Sequence, residues 1–256
     1  MLDFSFQLYS ARNFPPLDTV LGRLAALGYK QVEGFGGLYG EADALAASLK
    51  KHGLAMPTGH FGLAQLQDTE TALKTAETLG IKFLYCPAIP KEERLNQPEA
   101  KWVQLGETLA RLGEAFRKRG FGFGWHNHDF EFHALDNGRL PMDILLETAP
   151  HNEWEMDVAW VVKGGQDPVA WLKKYGSRIN AVHVKDIAPA GQNTNEDGWA
   201  DVGQGTLDWN ALQAAIKQHT NARYWVMEHD NPSDVDRFAS RSIASVHTWN
   251  LVENSK

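Results

Sequence analysis

Only one residue of 256, Cys86, is a cysteine, so no disulfide can form within the chain, and the composition suits a reducing cytoplasm. Basic runs are missing as well. Lys and Arg number 25 against 32 Asp and Glu, giving a net charge of −7 with no Arg-rich stripe to offset it. A nucleic-acid partner needs a basic face, so that class is excluded. No apolar stretch approaches the roughly 20 residues of a membrane span. The opening residues, Met1 to Ser5, carry neither the basic segment nor the apolar run of a secretion signal. The chain also lacks a glycine-rich phosphate loop ending in Lys-Ser or Lys-Thr. Its first strand–helix turn, Ser10 to Pro16, holds no glycine of the kind a dinucleotide fold requires. These absences leave an expectation of a cytoplasmic protein that works away from membranes and nucleic acids on something small.

What is present is a regular alternation. Phe4-Ser5-Phe6-Gln7-Leu8-Tyr9 reads as a first strand, and Leu17, Val20, Leu21, Leu24 and Leu27 follow at helical spacing until Gly28. Further strands are expected at Gln31–Phe35, Met56–Phe61, Lys82–Pro87, from Phe121 to Trp125, and at Trp154–Trp160, Ile179–Asp186 and Tyr224–Asp230. Helices are expected between them: Asp43–Lys51, Thr69–Leu79, a long one striped by Trp102, Leu105, Leu109, Leu112 and Phe116, and one from about Met142 to Thr148. Others start at the Asp167-Pro168 cap and at Asp208, and the last runs from about Ser233 to Thr248. Strand–helix alternation forces parallel strands. Eight such units with no linker or composition break predict a single (β/α)8 TIM barrel, one domain spanning residues 1–256.

Chemistry in such a barrel sits at the C-terminal ends of the strands. Those ends carry Glu33, His60, the cluster His126-Asn127-His128-Asp129-Phe130-Glu131, Asp157, His183 with Lys185 and Asp186, and Glu228 with His229. Any one of them could simply meet water. Ligand chemistry recurring on four consecutive strands is harder to explain that way, and it predicts that Glu131, Asp157, His183 and Glu228 converge. Three carboxylates and one imidazole would make a hard, oxygen-rich site, best suited to Mn²⁺ or Mg²⁺, with Co²⁺ and Zn²⁺ as alternatives.

The sequence resembles the xylose isomerase-like barrels known as sugar phosphate isomerases/epimerases, relatives of ketose 3-epimerase, hydroxypyruvate isomerase and inosose dehydratase. The motifs that carry the resemblance are His126-Asn127-His128-Asp129-Phe130-Glu131-Phe132, Met156-Asp157-Val158-Ala159-Trp160, His183-Val184-Lys185-Asp186, Val202-Gly203-Gln204-Gly205-Thr206-Leu207-Asp208 and Met227-Glu228-His229. The resemblance implies the same four metal ligands, a small sugar substrate, and a homodimer or homotetramer. Two departures stand out. Ketose 3-epimerases usually carry a His three residues after the strand-six Asp, where this chain has Trp160. They also place an Arg shortly after the strand-seven His, where this chain has Lys185, as in the inosose dehydratase branch.

The expected function is that of a divalent-metal-dependent isomerase or epimerase of a keto-sugar acting through an enediolate. The alternative is a lyase that eliminates from a keto-inositol or 3-keto-glycoside. Glu131 and Glu228 are the candidate proton carriers, Lys185 would neutralise the enediolate oxygen, and His126 and His128 are candidate substrate contacts or acids. Glu33 and His60 are expected to reach the substrate's far hydroxyls, Trp160 and Trp199 to offer an apolar face, and the 187–208 loop to act as a lid.

Overall fold

The structure, a computed structural model, describes residues 3–249. Eight parallel strands close a barrel: β1 (Phe4–Gln7), β2 (Gln31–Phe35), β3 (Ala55–His60), β4 (Phe83–Cys86), β5 (Gly122–His126), β6 (Glu153–Asp157), β7 (Ile179–Val184) and β10 (Tyr224–Met227). They pair in chain order, and β10 returns to β1 through the register Phe4 to Trp225. A two-stranded ribbon, β8 (Asp186–Ile187) and β9 (Trp199–Ala200), lies outside the barrel. This is the (β/α)8 architecture that the alternation predicts.

The outer helices form where apolar spacing predicts them. Helix Leu17–Leu27 buries Val20, Leu21 and Leu24, then stops at Gly28, whose φ of 99° is a left-handed conformation that costs glycine nothing. Helix Glu99–Lys118 buries Trp102, Leu109, Leu112 and Phe116. No described helix is long and apolar enough to cross a membrane.

The last two barrel strands end earlier than expected, at Val184 and Met227, and three further elements also differ from expectation. The first strand ends at Gln7, and Leu8–Ala11 is a 3-10 turn in which Tyr9 N–H donates to the Gln7 side chain. The sixth strand ends at Asp157 rather than Trp160, because the Asp157 carboxylate accepts the Trp160 N–H and starts helix Val158–Lys163. The 187–208 loop is fastened rather than free. The Asp186 carboxylate accepts the backbone N–H groups of Ile187, Gly203, Gly205 and Leu207 at 2.9–3.2 Å. A Cβ at position 205 would lie 2.2 Å from Asp186 Oδ1, so only glycine lets the loop fold over that carboxylate. At the loop's outer edge, Arg237 grips Glu196 and Asp201. The expected lid is therefore a pinned structure.

Period-two alternation sends every other strand residue into the barrel. At the N-terminal end these are aromatic. Phe83 stacks on Tyr85 and tilts against Tyr224, and the Tyr85 hydroxyl donates to Asn180 at 2.8 Å. Toward the C-terminal end they turn polar.

Candidate active site

Four side chains meet at the C-terminal mouth: His126 ends β5, Asp157 ends β6, His183 lies near the end of β7, and Glu228 follows β10. One donor atom from each falls within 4.8 Å of the other three, and all four residues are buried. Two carboxylates and two imidazoles, so close and with so little water, are a donor set that fits a divalent ion. Contacts within the group and beyond it hold them in position. Asp157 caps a helix through Trp160 N–H at 2.9 Å, and His183 Nδ1 lies 2.9 Å from Glu228 Oε2.

Glu131 is in neither candidate metal group of the described residues. Its Oε1 accepts the Trp125 indole N–H at 2.8 Å, and its Oε2 accepts the His128 backbone N–H at 3.0 Å. Each oxygen accepts a hydrogen bond within the turn after β5, and His126 is the strand-five residue that lies in the candidate group. Burial pushes the Glu131 carboxyl up to about 8.

Lys185 is wholly buried beside the group. Its ammonium lies 2.7 Å from Asp230, 3.0 Å from Glu228 and 3.4 Å from Asp157, with the Trp199 and Trp160 ring centres at 4.5 and 5.2 Å. Burial opposes its charge, but Asp230, Glu228 and Asp157 outweigh that and raise its pKa, so it stays an ammonium. Burial likewise works against the Glu228 carboxylate, yet Lys185 and His183 hold it well below the ordinary range. Burial takes the neighbouring imidazoles the other way: His126 falls to about 3 and His128 well below its usual value, so both are neutral.

Glu33 and His60 lie outside the four-residue group at the mouth. They join a lower group, with His60 Nε2 at 2.5 Å from Glu155 Oε2 and Glu33 Oε1 at 2.8 Å from His183 Nε2. Glu33 is completely buried, like Asp157, His183 and Lys185, and its Oε1 also lies 2.8 Å from the Gln7 side-chain nitrogen. Glu155 is the residue that the sequence reading missed. The available signal was the alternation Glu153, Glu155, Asp157, which faces all three acids inward. Asp230 was missed too.

Of the aromatic candidates, Trp199 is 1% exposed and its ring carries the Lys163 and Lys185 ammonium groups, which leaves no open face for a sugar. Trp160 is half-buried, beside the His128 ring at 5.3 Å. Among the described residues, His128 Nδ1 and Trp160 Nε1 have no hydrogen-bond partner.

The comparisons with known proteins agree with this architecture. An inosose dehydratase of Geobacillus kaustophilus is 27% identical over 196 residues, 66% of this chain and 62% of that protein, so the match spans less than two thirds of the relative's length. A sugar phosphate isomerase/epimerase from Parabacteroides distasonis superposes with a TM-score of 0.78 at 20% identity, over 96% of this chain and 97% of that one. The IolI protein, solved with a bound zinc atom, superposes with a TM-score of 0.71 at 17% identity, over 96% and 95%. At these identities the structural likeness speaks for the fold. The family model described as xylose isomerase-like TIM barrel matches residues 21–245, and the chain belongs to that family.

Proposed function

We propose that this barrel is a metal-dependent carbon–oxygen lyase that eliminates water or an alcohol from a keto-inositol or 3-keto-glycoside. The observation that carries this reading is the withdrawal of Glu131. Epimerisation calls for two proton carriers on opposite faces of one carbon, and the strand-five carboxylate expected to be the second is bound to Trp125 and His128 instead. A syn elimination needs a single carrier. The dehydratase named among the relatives is consistent with this choice.

A divalent ion held by His126, Asp157, His183 and Glu228 would supply Lewis acidity to the substrate's carbonyl and neighbouring hydroxyl. The second imidazole makes the donor set N2O2, which Zn²⁺ and Co²⁺ accept as well as Mn²⁺. Glu228, kept ionised by Lys185 and His183, takes the proton α to the carbonyl. The buried Lys185 ammonium offsets the negative charge that develops on the substrate oxygen. The electron pair of the broken C–H bond becomes the C=C bond, the β C–O bond breaks, and Glu228 returns its proton to the departing oxygen. His128, neutral and with Nδ1 free, hydrogen-bonds that leaving group, and Trp160 covers the ring beside it.

One observation favours the second reading, a keto-sugar isomerase or epimerase: Asp157 sits beside Glu228 in the same group and offers another carboxylate. Product analysis separates the two. The metal-loaded protein is incubated with keto-inositols, 3-keto-glucosides and ketohexoses and followed by proton NMR. A vinylic signal or a released aglycone supports elimination. Epimers or aldoses formed without either would replace it with the second reading.

A further inference from the structure

Below the mouth, the elimination proposed above leaves a second group of charged side chains unused. Glu155 is wholly buried, and its Oε2 receives three imidazole nitrogens: His60 Nε2 at 2.5 Å, His126 Nδ1 at 3.1 Å and His183 Nε2 at 3.4 Å. Glu33, equally buried, places Oε1 at 2.8 Å from His183 Nε2, 3.2 Å from His60 Nε2 and 2.8 Å from Gln7 Nε2. The other oxygen of each carboxylate, Glu155 Oε1 and Glu33 Oε2, is buried with no hydrogen-bond partner among the described residues. Buried acceptors are nearly always satisfied, and two orphans on adjoining carboxylates call for a missing cation.

The spacing suits a metal. Zinc-like bonds of ~2.0–2.1 Å in a tetrahedron put ligand atoms about 3.3 Å apart. The observed N···O separations of 2.5–3.4 Å reach that spacing if the shortest, His60 to Glu155, opens by about 0.8 Å and the others by about half an ångström or less. His183 ties the levels together, because its Nδ1 faces Glu228 in the mouth while its Nε2 faces Glu33 and Glu155 below.

We propose that the barrel binds a second divalent transition-metal ion, beneath the first, through His60 Nε2, His183 Nε2 and Glu155, with Glu33 alongside as a further carboxylate, and that the His183 ring bridges the two ions as an imidazolate whose ring proton passes to solvent as the ions bind. Imidazoles with carboxylates select Zn²⁺ or Co²⁺ over Mg²⁺ or Ca²⁺. The lower ion neutralises two buried carboxylates. It also fixes the His183 ring so that Nδ1 stays aimed at the mouth. The proposal stands or falls independently of the reaction, since it concerns ions rather than turnover.

The test is to strip the whole chain with a chelator, saturate it with Zn²⁺, count ions per chain by plasma mass spectrometry, and locate them by anomalous diffraction at the zinc edge. Two ions per chain are expected, with one peak on either side of the His183 ring. Glu155→Gln and, separately, His60→Gln should each lose the lower peak and keep the upper, while Glu228→Gln should weaken the upper and keep the lower. A single ion per saturated wild-type chain, or a second peak away from Glu155, overturns the proposal. The wild-type crystal decides even if a variant fails to fold.

Discussion

Arg237→Ala should loosen the 187–208 loop, and the size of the effect follows from what it leaves behind. Arg237 Nη1 and Nη2 each donate to a Glu196 oxygen at 2.9 Å, and Nε donates to Asp201 Oδ2 at 3.0 Å. The side chains of Glu196 and Asp201 are 5% and 4% exposed, against 26% for Arg237. Breaking a buried ion pair from one side costs ~3–5 kcal/mol because the stranded partner stays charged. One face of this guanidinium meets water, Arg241 still lies 3.5 Å from Asp201, and Ser233 still donates to Glu196. We therefore expect about 2–3 kcal/mol, somewhat below that range. For a chain of this size each kcal/mol moves Tm by ~2–4 °C, so Tm should fall by roughly 4–12 °C. Arg237→Lys, which keeps the charge and loses the fork, should fall about half as far. Calorimetry reads the shift, and hydrogen exchange should show faster exchange confined to the 187–208 amides. Turnover should drop as well, since the loop carries Trp199 against Lys185. A Tm loss below about 2 °C with unchanged loop exchange would refute the clamp.

Further outcomes follow from the same geometry. Glu131 has its pKa raised by burial from 4.5 to about 8, so its contribution to stability is full below pH 4.5 and is lost as pH rises toward 8. Glu131→Gln should flatten the fall of wild-type stability over that window, and Zn²⁺ titration calorimetry should find its metal affinity within about threefold of wild type, where a removed ligand would cost over ~100-fold. Lys185→Met removes the cation shared by Asp157, Glu228 and Asp230, so metal affinity should hold or rise while kcat falls by ~10²–10³. Trp160→Ala should raise KM by up to roughly tenfold with the metal count unchanged, which steady-state kinetics and metal analysis together would check.

The fold was legible because each barrel unit announces itself locally: an apolar strand, then a helix such as Leu17–Leu27 stopped by Gly28. Asp157, His183, Lys185 and Glu228 were legible for the same reason, since strand ends and period-two alternation assign them to the mouth without any knowledge of packing. The choice between His126 and Glu131 was not. Five residues separate them on a chain that turns through Phe130–Phe132, and which one faces the centre depends on where the Trp125 indole points. Strand parity with Gly122 and Gly124 did favour His126, but the three-carboxylate pattern was the more familiar chemistry. The loop clamp was invisible, because Glu196 and Asp201 meet Arg237 from 41 and 36 residues away. Trp199 illustrates the same limit: its composition suggested a platform, and only packing reveals that ammonium groups already occupy it.

The central claim is that Glu228, in a metal-bearing mouth, removes a proton from the carbon beside a carbonyl. The most direct measurement is proton NMR in D₂O of the metal-loaded protein with a keto-inositol or 3-keto-glucoside, beside Glu228→Gln prepared identically. Solvent deuterium should enter the α-carbon of recovered substrate with wild type, and should fall by at least about 10²-fold with the variant. Exchange that is equally fast in Glu228→Gln, or that persists after the metal is chelated away, would contradict the account.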